Sequence, residues 1–206
     1  MYTIDKEYIY ECEIKRSRFI SRIYPVETVD EAMDFLQQIR KLHYDATHNC
    51  YSYIIGEDQS VYKQSDDGEP SQTAGIPIYE TLRKNKLTNV ICIITRYYGK
   101  IKLGAGGLIR AYTQGASEVI KNAELKEIIN FSQLKISFNY DVSNEVFKHL
   151  EQYEIISKSF SSNIECIYNI PTELVEELKK QLINITRDKI SITILNEGIS
   201  WSNFNG

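Results

Sequence analysis

Hydrophobic and polar positions alternate along this chain in two periods. Between residues 28 and 44, Val29, Ala32, Met33, Leu36 and Ile39 recur three and four apart, which predicts an amphipathic helix. Thr28 followed by Glu31 supplies a capping box at its start. Residues 11–14 and 18–26 predict two short strands flanking a basic corner, Lys15-Arg16-Ser17-Arg18. Residues 50–55 and 60–64 predict a hairpin about Gly56-Glu57-Asp58-Gln59. SDDGEPSQTAG, residues 65–75, is turn chemistry leading into a helix that accommodates Pro77 only in its first turn. The apolar run 90–95 predicts a central strand covered on both faces. After a loop over 96–104, Leu108, Ala111, Tyr112, Gly115, Ala116, Val119 and Ala123 mark one face of a long helix. Gly115 lies on that face, which predicts close packing against the sheet.

The rest of the chain has a different rhythm. Strand 131–140, helix 141–153, strands 155–160 and 164–170, helix 171–183 and strand 190–195 give the order βαββαβ, the split-βαβ or ferredoxin-like pattern. Pro171 suits the first position of its helix, and Val142, Val146 and Leu150 keep the spacing of four that an amphipathic helix needs. The change of pattern falls near 122–127. The expected organisation is an α+β protein with a first domain over 1–125 and a ferredoxin-like second domain over 126–206.

Composition narrows the class. A chain of 206 residues with 42% hydrophobic and 25% charged residues is globular and large enough for two small domains. No apolar run reaches the roughly 18–20 residues that span a bilayer, and the opening MYTIDKEYIYECEIKR has acids and no apolar core segment. A soluble, cytoplasmic protein is expected, with no membrane partner. Cys12, Cys50, Cys92 and Cys166 form no C-x-x-C, so neither a disulfide framework nor a zinc site is expected, but reduced and mostly buried thiols are. The net charge of −4 argues against a general polyanion binder until it is divided. Residues 1–122 hold 16 Lys+Arg against 16 Asp+Glu, and residues 123–206 hold 8 against 12. Eight of the ten glycines lie between Gly56 and Gly115.

The most informative stretch is TRYYGKIKLGAGGLIRAY, residues 95–112. Gly104, Gly106 and Gly107 immediately precede a helix pattern, where free amides and the positive dipole end receive an anion. Arg96, Lys100, Lys102 and Arg110 surround that point. It is no P-loop, because Ala105 stands where the lysine must be, and no dinucleotide fingerprint, because Ile109 occupies the third glycine position. An anion or phosphate-backbone site and a glycine-rich turn with solvated charges both remain open. Lys15, Arg16 and Arg18 beside Phe19 are suited to tracking a phosphate backbone, or form a solvated surface turn. Asp66, Asp67 and Glu69 could hold a hard cation or act as acid and base, but turns and first helical turns enrich acids without catalysis, and the structural reading is favoured. His48 and Cys50 are two apart and share a strand face, yet they lack further ligands, so Cys50 reads as core and His48 as a hydrogen-bonded loop residue.

Taken together, KRSRFI (15–20), THNCYSY (47–53), DDGEPSQTAGIP (66–77) and TRYYGKIKLGAGGLIRAY resemble the YigZ/IMPACT family. The resemblance implies a first domain similar to the second domain of ribosomal protein S5. It implies a second domain like the last, ferredoxin-like domain of translocating elongation factor G. Two positions depart from the family pattern, since Lys100 and Gln72 stand where glycine is usual. Eukaryotic relatives are translation regulators acting on starvation-kinase signalling through a ribosome-associated protein, and bacterial members have been suggested to bind nucleic acid. The expectation is therefore a non-enzymatic protein that binds RNA or the ribosome and modulates translation or its stress response. A translation-associated protein partner is also implied, with no DNA specificity. No catalytic residue, metal or cofactor is expected. Lys15, Arg16, Arg18, Arg96, Lys100, Lys102 and Arg110 would neutralise phosphates, the Gly104, Gly106 and Gly107 amides would assist, and Tyr97 or Tyr98 would stack on bases. The roles of His48, Asp66, Asp67 and Glu69 stay open. An enzyme acting on a phosphorylated small molecule, with these acids holding a cation and His48 as base, and a protein–protein adaptor are the competing readings.

Overall fold

In the computed structural model, which describes residues 1–56 and 58–201, the two rhythms become two units, Met1–Glu127 and Ile128–Gly206. The first opens with β1 (Tyr2–Thr3), β2 (Tyr8–Ile14), β3 (Ser17–Pro25) and α1 (Val29–Leu42). It continues through β4 (His48–Ile55), β5 (Val61–Ser65), α2 (Gly75–Lys84), β6 (Val90–Tyr97) and α3 (Ala105–Lys121). Strands β2-β3-β6-β4-β5 form one antiparallel sheet in that order. Of the predicted β4–β5 turn, Gln59 donates its amide to the Gly56 carbonyl, and Glu57 lies outside the described residues.

The apolar run of β6 is explained by its central place. Ile91 and Ile93 pack with Ala32, Leu36 and Ile39 of α1 on one face. Cys92 and Ile94 pack on the other with Ile78 and Leu82 of α2 and Leu108, Tyr112 and Ala116 of α3. Each such buried aliphatic side chain contributes about 1.5–3 kcal/mol by transfer from water. The Thr28 hydroxyl accepts the Glu31 amide at 3.2 Å, and the Glu31 carboxylate accepts the Glu27 amide at 2.7 Å, so the α1 start is capped as its sequence requires. A Cβ added at Gly115 would lie 2.6 Å from Ser21 Oγ and 3.2 Å from Ile94 Cδ1, which is why α3 carries glycine where it crosses the sheet. Pro77 falls in the first turn of α2.

The second unit contains most of β7 (Lys126–Phe138), then α4 (Ser143–Leu150), β8 (Glu154–Phe160), β9 (Ile164–Pro171), α5 (Val175–Thr186) and β10 (Ile190–Trp201). Its strands run β10-β7-β9-β8, all antiparallel. Leu134, Ile136 and Phe138 of β7 and Ile164, Cys166 and Ile170 of β9 alternate inward. They pack against Val146 and Leu150 of α4 and Leu178 and Leu182 of α5. The order βαββαβ and the α+β class are thus observed.

Several boundaries depart from the sequence reading. Pro171 closes β9 with extended backbone (φ −50°, ψ 126°) and is followed by a 3-10 turn, so α5 starts at Val175 and not at the proline. Strand β7 begins at Lys126, where its first residues pair with β1 (Tyr2↔Glu127, Thr3↔Lys126). Strand β10 continues to Trp201 past a register shift between Ile194 and Asn196. All four cysteines are free, Cys50, Cys92 and Cys166 buried and Cys12 half-buried.

Candidate functional site

The three acids of the loop before α2 turn to three different tasks. Asp66 Oδ1 accepts the amides of Ala74 and Gly75, each at 2.9 Å, and Oδ2 accepts the Gln72 amide at 2.8 Å. It therefore caps α2 from a distance, satisfying donors that a helix start leaves open. Asp67 pairs with Arg40 Nη2 at 2.6 Å and accepts the Asn49 amide at 2.7 Å. Among the described residues no group of three or more His, Cys, Asp or Glu side chains is placed to hold a metal.

Glu69 is buried instead, and Arg96 with it. Glu69 Oε1 accepts Arg96 Nη1 at 2.6 Å and the Tyr112 hydroxyl at 2.8 Å. Arg96 Nη2 donates to Ser17 Oγ at 3.2 Å, and the guanidinium lies over the rings of Phe19 (5.4 Å) and Tyr98 (5.3 Å). Arg96 is only 4% exposed, so it is not the free surface cation that its place in a basic stretch predicts. The reason is strand alternation: β6 continues through Tyr97, past the apolar run, and turns Arg96 to the same face as Cys92 and Ile94.

His48, the first residue of β4, is fixed by the same loop. Its Nδ1 lies 2.8 Å from the Asp67 carbonyl, and because a carbonyl only accepts, Nδ1 carries the hydrogen. Nε2 stands 3.8 Å from Glu69 Oε2, beyond hydrogen-bond reach. Cys50 Sγ is 3.0 Å from the Asp66 carbonyl and 3.3 Å from the Tyr112 hydroxyl. Burial, the largest cause, pushes both the Cys50 thiol and the Tyr112 hydroxyl far up, so both remain protonated. Cys50 is thus a core thiol beneath the site.

Above this buried network the two basic loops meet. A Cβ at Gly99 would fall 2.0 Å from the Arg16 carbonyl oxygen, so the 96–104 loop lies backbone-to-backbone on the Lys15-Arg16 turn. That turn is two residues long, with Ile14 paired to Ser17 and both φ angles positive (48° and 62°), as a type I′ hairpin demands. A cavity of about 430 Å³ is lined by His48, Glu69, Arg96, Tyr98, Lys102 and Gly104. A smaller one of about 230 Å³ is lined by Lys15, Gly107 and Arg110, and Leu103 borders both. Gly104 has φ +74°, and α3 beyond it has no side-chain cap, so the amides of its first turn are open. Lys15, Arg16, Lys100, Lys102 and Arg110 are exposed.

Not every predicted residue joins them. Arg18 is held by Glu11 at 2.6 Å, with its guanidinium 5.9 Å from the Tyr97 ring. Tyr97 is tied through its hydroxyl to His43 (2.9 Å) and Asp45 (3.1 Å). Both residues follow inward-facing neighbours, Ser17 and Arg96, and so project to the α1 side. Of the two tyrosines only Tyr98 borders the cavity. Lys100 (φ 63°) and Gln72 (φ 65°) keep the glycine-like conformation despite their side chains. Ser17, Leu103 and Tyr112 are additions that the sequence signals only as a turn residue, a loop residue and a helix core position.

Fold and site together define a two-unit α+β protein with a basic rim about a buried Glu–Arg–Tyr network. The Impact N-terminal domain family matches residues 15–120. The chain is 36% identical over 193 residues to the IMPACT family member YvyE of Bacillus subtilis, covering 93% of this chain and 89% of that protein. It belongs to the IMPACT family. It is also 30% identical over 93 residues to Protein IMPACT of Rattus norvegicus, which covers 44% of this chain and 29% of that protein. A crystal structure described as that of an hypothetical protein superimposes with a TM-score of 0.62 at 26% identity, over 95% of this chain and 97% of that one.

Proposed function

We propose that the protein binds RNA or the ribosome in the cytoplasm and modulates translation or its stress response, without chemistry of its own. The observation that carries this reading is the packing of Gly99 on Arg16, which gathers Lys15, Arg16, Lys100, Lys102 and Arg110 around the uncapped start of α3. Lysines and arginines beside open backbone amides recognise phosphate oxygens without reading bases. A chain of net charge −4 binds a polyanion only by concentrating its cations, and this rim does so. Kinship with Protein IMPACT supports the translation setting. The ferredoxin-like reading of the second unit draws support from its antiparallel order β10-β7-β9-β8. The reading of the first unit as ribosomal protein S5 domain 2-like belongs to the same proposal. The second unit, where the acidic excess lies, would face a protein partner.

Binding of single-stranded RNA followed against salt tests the rim. If about four cations contact phosphates, log K should fall with log salt at a slope near −3, from about 0.7 per phosphate. Lys15→Ala with Lys102→Ala should reduce the slope by roughly one to two and weaken unrelated sequences equally. An unchanged slope would remove the rim as the binding surface.

A further inference from the structure

Glu69 holds an acceptor that the protein leaves empty. Its side chain is 3% exposed, and Oε1 takes both Arg96 and Tyr112, yet among the described residues Oε2 receives no hydrogen bond. The group facing Oε2 is His48 Nε2, 3.8 Å away. With Nδ1 donating to the Asp67 carbonyl, Nε2 of the neutral ring is an acceptor as well. Two acceptors therefore stand side by side in the wall of the 430 Å³ cavity, open to whatever enters it. The remaining buried polar group on that wall, Arg96 Nε, also has no partner among the described residues.

The missing donors have a definable chemistry. An ammonium would meet Arg96, whose Nη1 lies 2.6 Å from the same carboxylate, and Lys102 on the same wall. Uncharged donors fit better, and two acceptors 3.8 Å apart suit two neighbouring hydroxyls. The cavity also includes Gly104 and Ala105 at the open start of α3, next to Lys102, a place for an anion. A Cβ at Gly104 would touch nothing within 4 Å, so that approach is clear. Tyr98, 42% exposed, provides an aromatic wall. Vicinal hydroxyls, a phosphate and a flat ring on one small body describe a ribonucleotide, and within an RNA strand both hydroxyls are free only at the 3′ end.

We infer that this cavity takes the 3′-terminal ribonucleotide of an RNA strand. Its 2′ and 3′ hydroxyls donate to Glu69 Oε2 and His48 Nε2, its phosphate meets Lys102 and the α3 amides, and its base lies against Tyr98. The neighbouring cavity with Lys15 and Arg110, across Leu103, receives the preceding phosphate. The inference rests on the RNA reading above and adds to it a preference for one end of the strand and for RNA over DNA.

The test changes the ligand before it changes the protein. Fluorescence anisotropy at low salt compares one oligoribonucleotide, labelled at its 5′ end, carrying a 3′-terminal diol or a 2′,3′-dideoxy terminus, with the all-DNA strand. Adenosine monophosphate serves as competitor. Loss of two hydrogen bonds should weaken the dideoxy strand about tenfold. The DNA strand, which keeps the 3′ hydroxyl and lacks the 2′ one, should be weakened about threefold. His48→Ala, checked for folding by circular dichroism, should shrink the difference between the two RNA ends to about threefold, the share of the Glu69 hydrogen bond. Equal affinity of diol and dideoxy strands for the unmodified protein overturns the inference and leaves the RNA reading intact. Failure of every oligonucleotide to bind overturns both. Adenosine monophosphate binding as tightly as the diol strand assigns the cavity to a free nucleotide and overturns the RNA end as its occupant.

Discussion

Arg96 shows how one side chain changes meaning between sequence and structure. In TRYYGKIKLGAGG it stands among surface cations, and nothing in the spacing reveals that β6 runs two residues beyond its apolar core or that Glu69, 27 positions earlier, returns to meet it. Removing one member of a buried pair leaves the other charge uncompensated. Arg96→Ala should thus cost about 3–5 kcal/mol in denaturant unfolding, whereas Lys102→Ala should leave stability nearly unchanged. Gln72 makes the same point in the backbone. Nothing in the sequence around it announces a left-handed residue, yet its φ is 65°, in the region that glycine favours. Gln72→Gly should raise stability by up to about 1 kcal/mol, since a left-handed conformation costs a non-glycine residue roughly 1–2 kcal/mol and glycine's entropy returns part of that. His43 supplies a pH dependence. Burial first, then the charges of Arg22 and Arg18, hold its imidazole below 6.5 in the folded protein. The unfolded chain therefore binds the proton more readily, and stability present above pH 6.5 is lost as pH falls toward the depressed folded value. Acid unfolding of His43→Gln should lack this contribution.

Among the elements, those with a complete local code were legible. The α1 capping box, the apolar run of β6 and the stripe on α3 each require one environment, and each has it. Elements whose reason is a distant partner were not. β1 is two residues long and exists because β7 pairs with it across more than a hundred positions. The first turn of α2 has no capping side chain of its own, since Asp66, eight and nine residues earlier, performs that service. Asp66→Ala should then destabilise the first unit by about 2 kcal/mol in thermal unfolding, the scale of a lost cap with charged hydrogen bonds. Its effect on the salt slope of RNA binding should be nil, because Asp66 touches no cation of the rim. A variant that kept its stability but lost binding would reverse this division of labour. The convergence of the two basic loops was expected only from charge. The contact that enforces it, Gly99 on Arg16, is visible once the backbone is built.

At the scale of the whole molecule, charge and core follow the same partition. The first unit gathers the glycines and the cation rim around two hydrophobic layers, and the second has its own closed layer from β7, β9, α4 and α5. Among the described residues, none of the second unit belongs to either core cluster of the first, and the reverse holds as well. A unit that buries its own apolar face needs no other for its stability, so residues 128–206 expressed alone should unfold cooperatively in urea with coincident fluorescence and circular dichroism transitions. The alkaline limb offers a second reading from inside that core. Tyr168 is pushed up from 10.0 to about 12, chiefly by burial, so the folded fragment holds its phenol proton where the unfolded chain releases it. Its contribution is complete below pH 10.0 and is lost as pH rises toward about 12. The isolated fragment should show this alkaline loss as the full chain does, and Tyr168→Phe should flatten it. A fragment that melts without a cooperative transition would mean that the β7–β9 core is too small to stand alone.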